Sequence, residues 1–307
     1  ESSFYLCPMQ LNQGFTTLRS RYVLAVLFFF LCLLMGSGAM HAVFYLNGLS
    51  IEDSTSLYQL LENKDHIQLV RAAFGISHLI GFVLSSLLIG KILKRGPFET
   101  ASSPTSKFDP KVLMRWFLLL LLCYPLAGLL GFWAGKIPLP EWMSAMDESS
   151  FQALEGLIKM DSPLQLMANL LIIAIIPGFG EEMLFRGILQ AQLQLHIKKM
   201  TYVVFLSAFI FAAFHLQFVG FFPKMIIGLV LAATYFYTGN LWYSIGIHIL
   251  NNSFHVILAY LRPESIEAQS TEMSFEANQQ LIVLLTLPLI YWYFNHLKKG
   301  NPNGGSA

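Results

Sequence analysis

Apolar residues in this chain come in long unbroken runs between short polar loops, with no alternation of period two. A helix rising 1.5 Å per residue needs about 20 such residues to cross a hydrocarbon core. Runs of that kind occur at Tyr22 to Leu46, Ile67 to Leu93, Val112 to Ala134 and Leu164 to Leu195, then at Thr201 to Val219, Pro223 to Tyr237, Leu241 to Leu261 and Leu281 to Leu297. In lipid only helices and closed barrels satisfy every backbone group, and barrel strands would alternate. The pattern predicts an all-α fold: a polytopic membrane helix bundle of about eight transmembrane helices.

The loops between the runs carry an uneven share of Lys and Arg. With a cytoplasmic N-terminus, the inner side receives Arg19, Arg21, Lys91, Lys94, Arg95, Lys107, Lys111, Arg115, Lys198, Lys199, Lys298 and Lys299. The outer side receives Lys64, Arg71, Lys136, Lys159, Lys224 and Arg262, so positive charge favours this orientation about two to one. Both termini are then cytoplasmic, and the acidic loop residues Glu52, Asp53, Glu62, Asp65, Glu141, Asp147, Glu148, Glu264, Glu267, Glu272 and Glu276 fall outside.

Gly96 to Pro110, with Pro97, Ser102, Ser103, Pro104 and Ser106, reads as a linker. It divides the chain into a two-helix membrane segment (1–95), a cytoplasmic linker (96–111), a main helix bundle (112–261) and a last portion (262–307) holding an outer loop, the final span and a tail. In the loop before the fourth span, Ser149 or Ser150 is positioned to cap a helix with Phe151, Leu154, Leu157 and Ile158 on one face. Such a helix is expected in the interface, packing rather than acting as a lid.

Composition agrees. Of 307 residues 55% are hydrophobic and 12% charged, and the mean hydropathy of +0.57 excludes an ordinary soluble domain. A net charge of +1 leaves no basic surplus, and no nucleic-acid-binding motif is present, so no nucleic-acid partner is expected. Membrane lipid is the expected surrounding. Cys7, Cys32 and Cys123 are scattered and odd in number, which predicts free thiols.

Charge breaks the apolar pattern at Pro177-Gly178-Phe179-Gly180-Glu181-Glu182-Met183-Leu184-Phe185-Arg186. A charge at the bilayer centre costs about 2.5–3.5 kcal/mol, so an intramembrane ionisable cluster is a functional-site hypothesis. Ser162 and Pro163 supply a cap and a first-turn proline for this fourth span, and Pro177, Gly178 and Gly180 predict a break or kink before the acidic pair. Glu182 and Arg186, four residues apart, share a helix face in the favourable order for an ion pair. Glu181 points about 100° away and is free for another role. His215 lies deep in the fifth span; His248 and Asn252, again four apart, share a face of the seventh. Packing or hydrogen-bonding roles suffice for His41, His78, His255, Asn251, Phe218, Phe221 and Phe222.

Glu-Glu-x-x-x-Arg at Glu181 to Arg186, Phe-x-x-x-His at Phe211 to His215 and His-x-x-x-Asn at His248 to Asn252, in this order on successive helices, resemble the motifs of the CAAX prenyl endopeptidase and bacteriocin-processing (CPBP, or Abi) family of intramembrane proteases. The resemblance covers about Val112 to Tyr260 and includes Phe185-Arg186-Gly187 and Trp242-x-Ser244-Ile245. It implies hydrolysis of a peptide bond in a membrane-associated peptide, of the prenylated CAAX type or unmodified, in a cavity open to the cytosol. The expected setting is a prokaryotic plasma membrane.

Carried over, Glu181 is the general base that activates water and His215 helps hold or polarise that water. His248 and Asn252 donate to the developing oxyanion, and Glu182 with Arg186 braces the site. Each oxyanion donor is worth about 2.7–4 kcal/mol. Glu181, His215 and His248 also form a set of the kind zinc hydrolases use. The chain lacks His-Glu-x-x-His, and the preferred reading requires no cofactor, with zinc as the alternative. Two further classes compete. A carrier would also show a broken helix with buried carboxylates, but a second broken segment in a related half is not found. An immunity or scaffold protein would keep the fold without catalysis.

Overall fold

The computed structural model describes residues 8–49, 57, 59–61, 63, 66–99, 108–264 and 277–299. The expectations for Cys7, Glu52, Asp53, Glu62, Lys64, Asp65, Lys107, Glu267, Glu272 and Glu276, for linker residues 100–107 and for the tail after Lys299 lie outside this set.

The described residues form helices and no strand. In chain order they are α1 (Pro8–Leu46), α2 (Ile67–Leu93), α3 (Pro110–Gly135), α4 (Glu141–Ile158), α5 (Pro163–His196), α6 (Met200–Phe214), α7 (Phe221–Thr238), α8 (Leu241–Leu261) and α9 (Ala277–Lys299). Their starts carry local signals. Asp109 accepts from Lys111 N at 2.8 Å with Pro110 at the first position of α3, Ser162 accepts from Gln165 N at 3.4 Å ahead of Pro163, and Asn240 accepts from Trp242 N at 3.0 Å.

Among the described residues five helices are long and apolar enough to span a membrane: the Ser20–Leu46 part of α1, α2, α3, α5 and α7. Two of the eight expected spans, the fifth and the seventh, fall outside this set. The fifth was expected to run to Val219, yet α6 stops at Phe214 after 15 residues, about 22 Å against a hydrocarbon core of about 30 Å. Leu216 adopts a left-handed φ of 52° there and the chain turns. The seventh, α8, has 21 residues but includes His248, Asn251, Asn252 and His255, which lower its apolarity. The eighth lies within α9, whose first residues adjoin undescribed chain.

The interhelical helix also differs from expectation. α4 begins at Glu141, after Pro140, so Ser149 lies inside it and donates its hydroxyl back to Ala145 O at 2.8 Å. On the expected apolar face Leu157 is buried in a cluster with Phe44 of α1 and Val70 and Ala73 of α2, and Ile158 is buried as well, but Leu154 is exposed.

One core joins Trp116 and Leu120 of α3, Leu231 and Tyr237 of α7 and Ile247 of α8. Another joins Ala25 of α1, Phe82 and Ile89 of α2, Phe185 and Ile188 of α5 and Phe211 of α6. α5 therefore runs between the α1–α2 pair and the α6–α8 layer. Outward faces remain apolar, as at Leu27, Phe30 and Leu34 of α1, which is the composition of a surface solvated by lipid chains.

Candidate active site

Of the expected break or kink at Pro177, a break does not occur: α5 stays helical from Pro163 to His196. The helix instead changes its hydrogen-bond pattern, with wide π turns over Leu170–Ile175 and Met183–Gln190 around an α segment, Ile176–Glu182. Proline has no N–H, so Pro177 cannot serve the Ile173 carbonyl as the α-helical pattern would require. Asn252 Nδ2, from α8, donates to that carbonyl at 3.3 Å. A side chain from a neighbouring helix thus supplies a donor that the proline withholds.

Gly178 and Gly180 permit close approach on two sides of α5. A Cβ at Gly178 would lie 2.8 Å from Ile249 Cγ1 and 3.0 Å from Ile249 N, next to His248. A Cβ at Gly180 would lie 3.0 Å from Phe82 Cβ and 3.1 Å from Val83 Cγ2 of α2. The absent side chains let α8 and α2 close upon the acidic pair.

Glu182 is fully buried and receives two donors on Oε1: Arg186 Nη1 at 2.8 Å and His248 Nδ1 at 2.9 Å. Arg186 is also fully buried, donates Nη2 to Gly228 O of α7 at 3.1 Å and lies over the Phe211 ring at 4.5 Å. A carboxylate only accepts, so His248 holds its proton on Nδ1 and, when neutral, presents a lone pair at Nε2. The pair joins α5, α7 and α8 and sets the tautomer of one histidine.

Glu181 is 7% exposed and faces three imidazoles. Its Oε2 is 4.0 Å from His215 Nε2 and 4.0 Å from His248 Nε2; its Oε1 is 3.2 Å from His78 Nε2. Oε2 is buried and has no hydrogen-bond partner. His215 Nδ1 is 2.8 Å from Phe211 O, a carbonyl that can only accept, so its neutral Nε2 is a lone pair as well. Three acceptors therefore face one small space, and a water molecule, with two hydrogens to give, is complementary to it.

His215 directly follows α6 and is held from beyond the helix end. Asp147 of α4 accepts from Phe218 N at 2.7 Å and Val219 N at 2.9 Å, closing the turn that follows the histidine. The α4 helix thus packs on the site's margin through a carboxylate.

Glu181, Glu182, Arg186, His215 and His248 come together. Asn252 is on the same face of α8 as His248, but its hydrogen bonds run to Ile173 O and, as acceptor, from Asn251 Nδ2 at 3.0 Å. Asn251 in turn accepts from Tyr124 OH at 3.0 Å, an interhelical bond to α3. His78 was expected to pack; its ring does stack on Phe82 at 4.3 Å, but Nε2 reaches Glu181. The signal was present in the sequence, since a histidine inside a span is subject to the same cost that marked the acidic pair.

Zinc would require Glu181, His215 and His248 around one ion. Two ligands of a tetrahedral zinc stand about 3.3 Å apart, whereas each imidazole here is 4.0 Å from Glu181. Among the described residues no group of three or more His, Cys, Asp or Glu is arranged to hold a metal ion.

Residues 163–254 match the family model described as Type II CAAX prenyl endopeptidase Rce1-like. The segment runs from the start of α5 into α8 and contains Glu181, Glu182, Arg186, His215, His248 and Asn252, consistent with the CPBP family that the motifs resemble. No curated protein and no solved structure matches the chain. With its apolar helices, the match supports a membrane protein and, in general, a CAAX-type intramembrane protease.

Proposed function

We propose that this chain is an intramembrane endopeptidase in which Glu181 activates a water molecule for attack on a peptide bond. The observation that carries the reading is Glu181 Oε2, buried without a partner and equidistant from His215 Nε2 and His248 Nε2 at 4.0 Å. A water at the centre of these groups gives one hydrogen to Glu181 and the other to His215. As its oxygen bonds to the substrate carbonyl carbon, Glu181 takes the proton. The C–N bond then breaks, the proton passes to the departing amine, and a carboxylate and an amine remain.

His248, with Nδ1–H given to Glu182, keeps Nε2 for the reaction. It accepts there when neutral, and when it holds a second proton it donates to the oxyanion. Asn252 is assigned as the second oxyanion donor, since its amide has one N–H beyond that given to Ile173. Glu182 and Arg186 hold His248 in place. The mechanism needs no metal. The substrate is a membrane-associated peptide of the CAAX type, prenylated or unmodified, reached from the cytosol.

Purified Glu181→Gln and His215→Ala proteins, incubated with CAAX-type peptides with and without a prenyl group, test the assignment. Both are expected to lose cleavage by about a hundredfold or more while still inserting and purifying. Wild-type cleavage by both variants would overturn it.

A further inference from the structure

His78 stands outside the segment that matches the protease family, on α2, yet it is the nearest imidazole to the candidate base. It is the last residue of an α-helical stretch, Ile67–His78, and a π-helical stretch, Leu79–Leu84, follows directly. Wide turns of this kind recur at functional sites. Phe82, one turn further on, stacks on the ring at 4.3 Å with an interplanar angle of 17°, and the same Phe82 packs against Gly180. The close approach at Gly180 and the stacked ring together fix how far His78 stands from Glu181.

The two oxygens of Glu181 are divided between helices. Oε1 is 3.2 Å from His78 Nε2, and Oε2 faces His215 and His248. The 3.2 Å contact is off the line of a well-formed hydrogen bond; catalytic hydrogen bonds of this kind tighten when substrate binds. A carboxylate free to turn part-way about its last torsion would carry Oε2 out of line with His215 and His248, and a group on Oε1 limits that turn. Packing alone would also favour the ring on Phe82, but it does not require a nitrogen 3.2 Å from a carboxylate.

We propose that His78 is a positioning residue for Glu181: its Nε2–H is given to Oε1, so that Oε2 stays turned towards His215 and His248. The inference rests on the endopeptidase reading above and extends it, making the N-terminal pair of helices part of the working site.

Full-length wild type, Glu181→Gln, His78→Phe, His78→Gln and His78→Asn are compared in detergent micelles. The probe is a fluorogenic peptide ending in a prenylated CAAX-type sequence, with the unprenylated peptide run in parallel. Phe keeps the ring stack and lacks the donor. Gln places an amide N–H where Nε2 stands, whereas Asn places it nearer the position of Nδ1. His78→Phe and His78→Asn are expected to lower kcat about tenfold or more, as misplacement of a reacting group does. KM should be little changed, and His78→Gln should retain most of kcat.

Wild-type kcat in His78→Phe, or equal losses in the Gln and Asn variants, would overturn the inference. If the Phe variant fails to fold, the Gln and Asn pair decides. Loss of cleavage in Glu181→Gln with normal cleavage in His78→Phe removes the inference and leaves the endopeptidase reading standing. Glu181→Gln cleaving both peptides as wild type does, or a wild type that cleaves neither peptide, overturns both.

Discussion

His248 Nδ1 lies 2.9 Å from Glu182 Oε1, and the same oxygen holds Arg186 Nη1 at 2.8 Å. One carboxylate thereby joins an ion pair on its own helix to an imidazole on another. The neighbouring carboxylate, Glu181, has one oxygen against His78 and one with no hydrogen-bond partner. Two adjacent residues of the same type thus have separate surroundings.

Arg186→Ala leaves Glu182 charged and unmatched in a fully buried position. Breaking such a pair costs about 3–5 kcal/mol. Chemical unfolding in mild detergent should show a loss of that order, and a variant as stable as wild type would mean that the pair contributes little.

Glu181→Gln behaves oppositely. The change removes a charge from a carboxylate whose Oε2 has no partner. Stability should hold or rise while cleavage falls by about a hundredfold or more. A fall in stability to match the fall in activity would point to a structural role.

Gly178→Ala forces a methyl to within 3.0 Å of the Ile249 backbone nitrogen, which cannot swing aside as a side chain would. Overpacking of this kind costs about 1–3 kcal/mol. The displacement acts on α8 next to His248, so cleavage should fall further than in an alanine variant of the lipid-facing Leu34, which is expected to behave as wild type. Equal activity in the two would argue against helix spacing as a determinant.

Asn252→Ala removes the side-chain donor to the Ile173 carbonyl and should cost about 1–3 kcal/mol. Pro177→Ala restores a backbone N–H one α-helical turn away from that carbonyl. In the double variant the loss should shrink, a coupling visible in a double-mutant cycle of unfolding. Strict additivity would show that the proline and the asparagine act independently.

Metal analysis of the purified protein is expected to find no stoichiometric zinc, and chelators should leave cleavage intact. Zinc lost together with activity would reverse the choice between the two mechanisms.

How much of this was legible in the sequence depends on the distance over which each feature acts. Helix class and most boundaries follow from local properties: run length, and the cap and first-turn proline at Ser162 and Pro163. The Glu182–Arg186 pair also follows, since a four-residue spacing holds its two members together whatever surrounds them. The same local rules misplaced the start of α4, because Ser149 has the chemistry of a cap and Pro140 with Glu141 begins the helix earlier. They also extended α6 past Phe214, where a left-handed Leu216 and a carboxylate from α4 stop it.

The chain's own order of residues determined that it is a bundle of apolar helices, that charge is concentrated on α5 and that two histidines and an asparagine follow on later helices. Tertiary structure alone decided which side chain meets which. Pro177 reads locally as a break or kink, yet Asn252 meets the Ile173 carbonyl and the helix continues; Gly178 and Gly180 read as further interruptions, yet they are where Ile249 and Phe82 pack against α5. His78 gave no periodic signal linking it to Glu181, since the two are more than a hundred residues apart and meet only because α2 and α5 approach at a glycine. Spacing along a helix fixes neighbours on that helix; between helices, the packing of side chains against small residues sets the distance, and no local pattern encodes it.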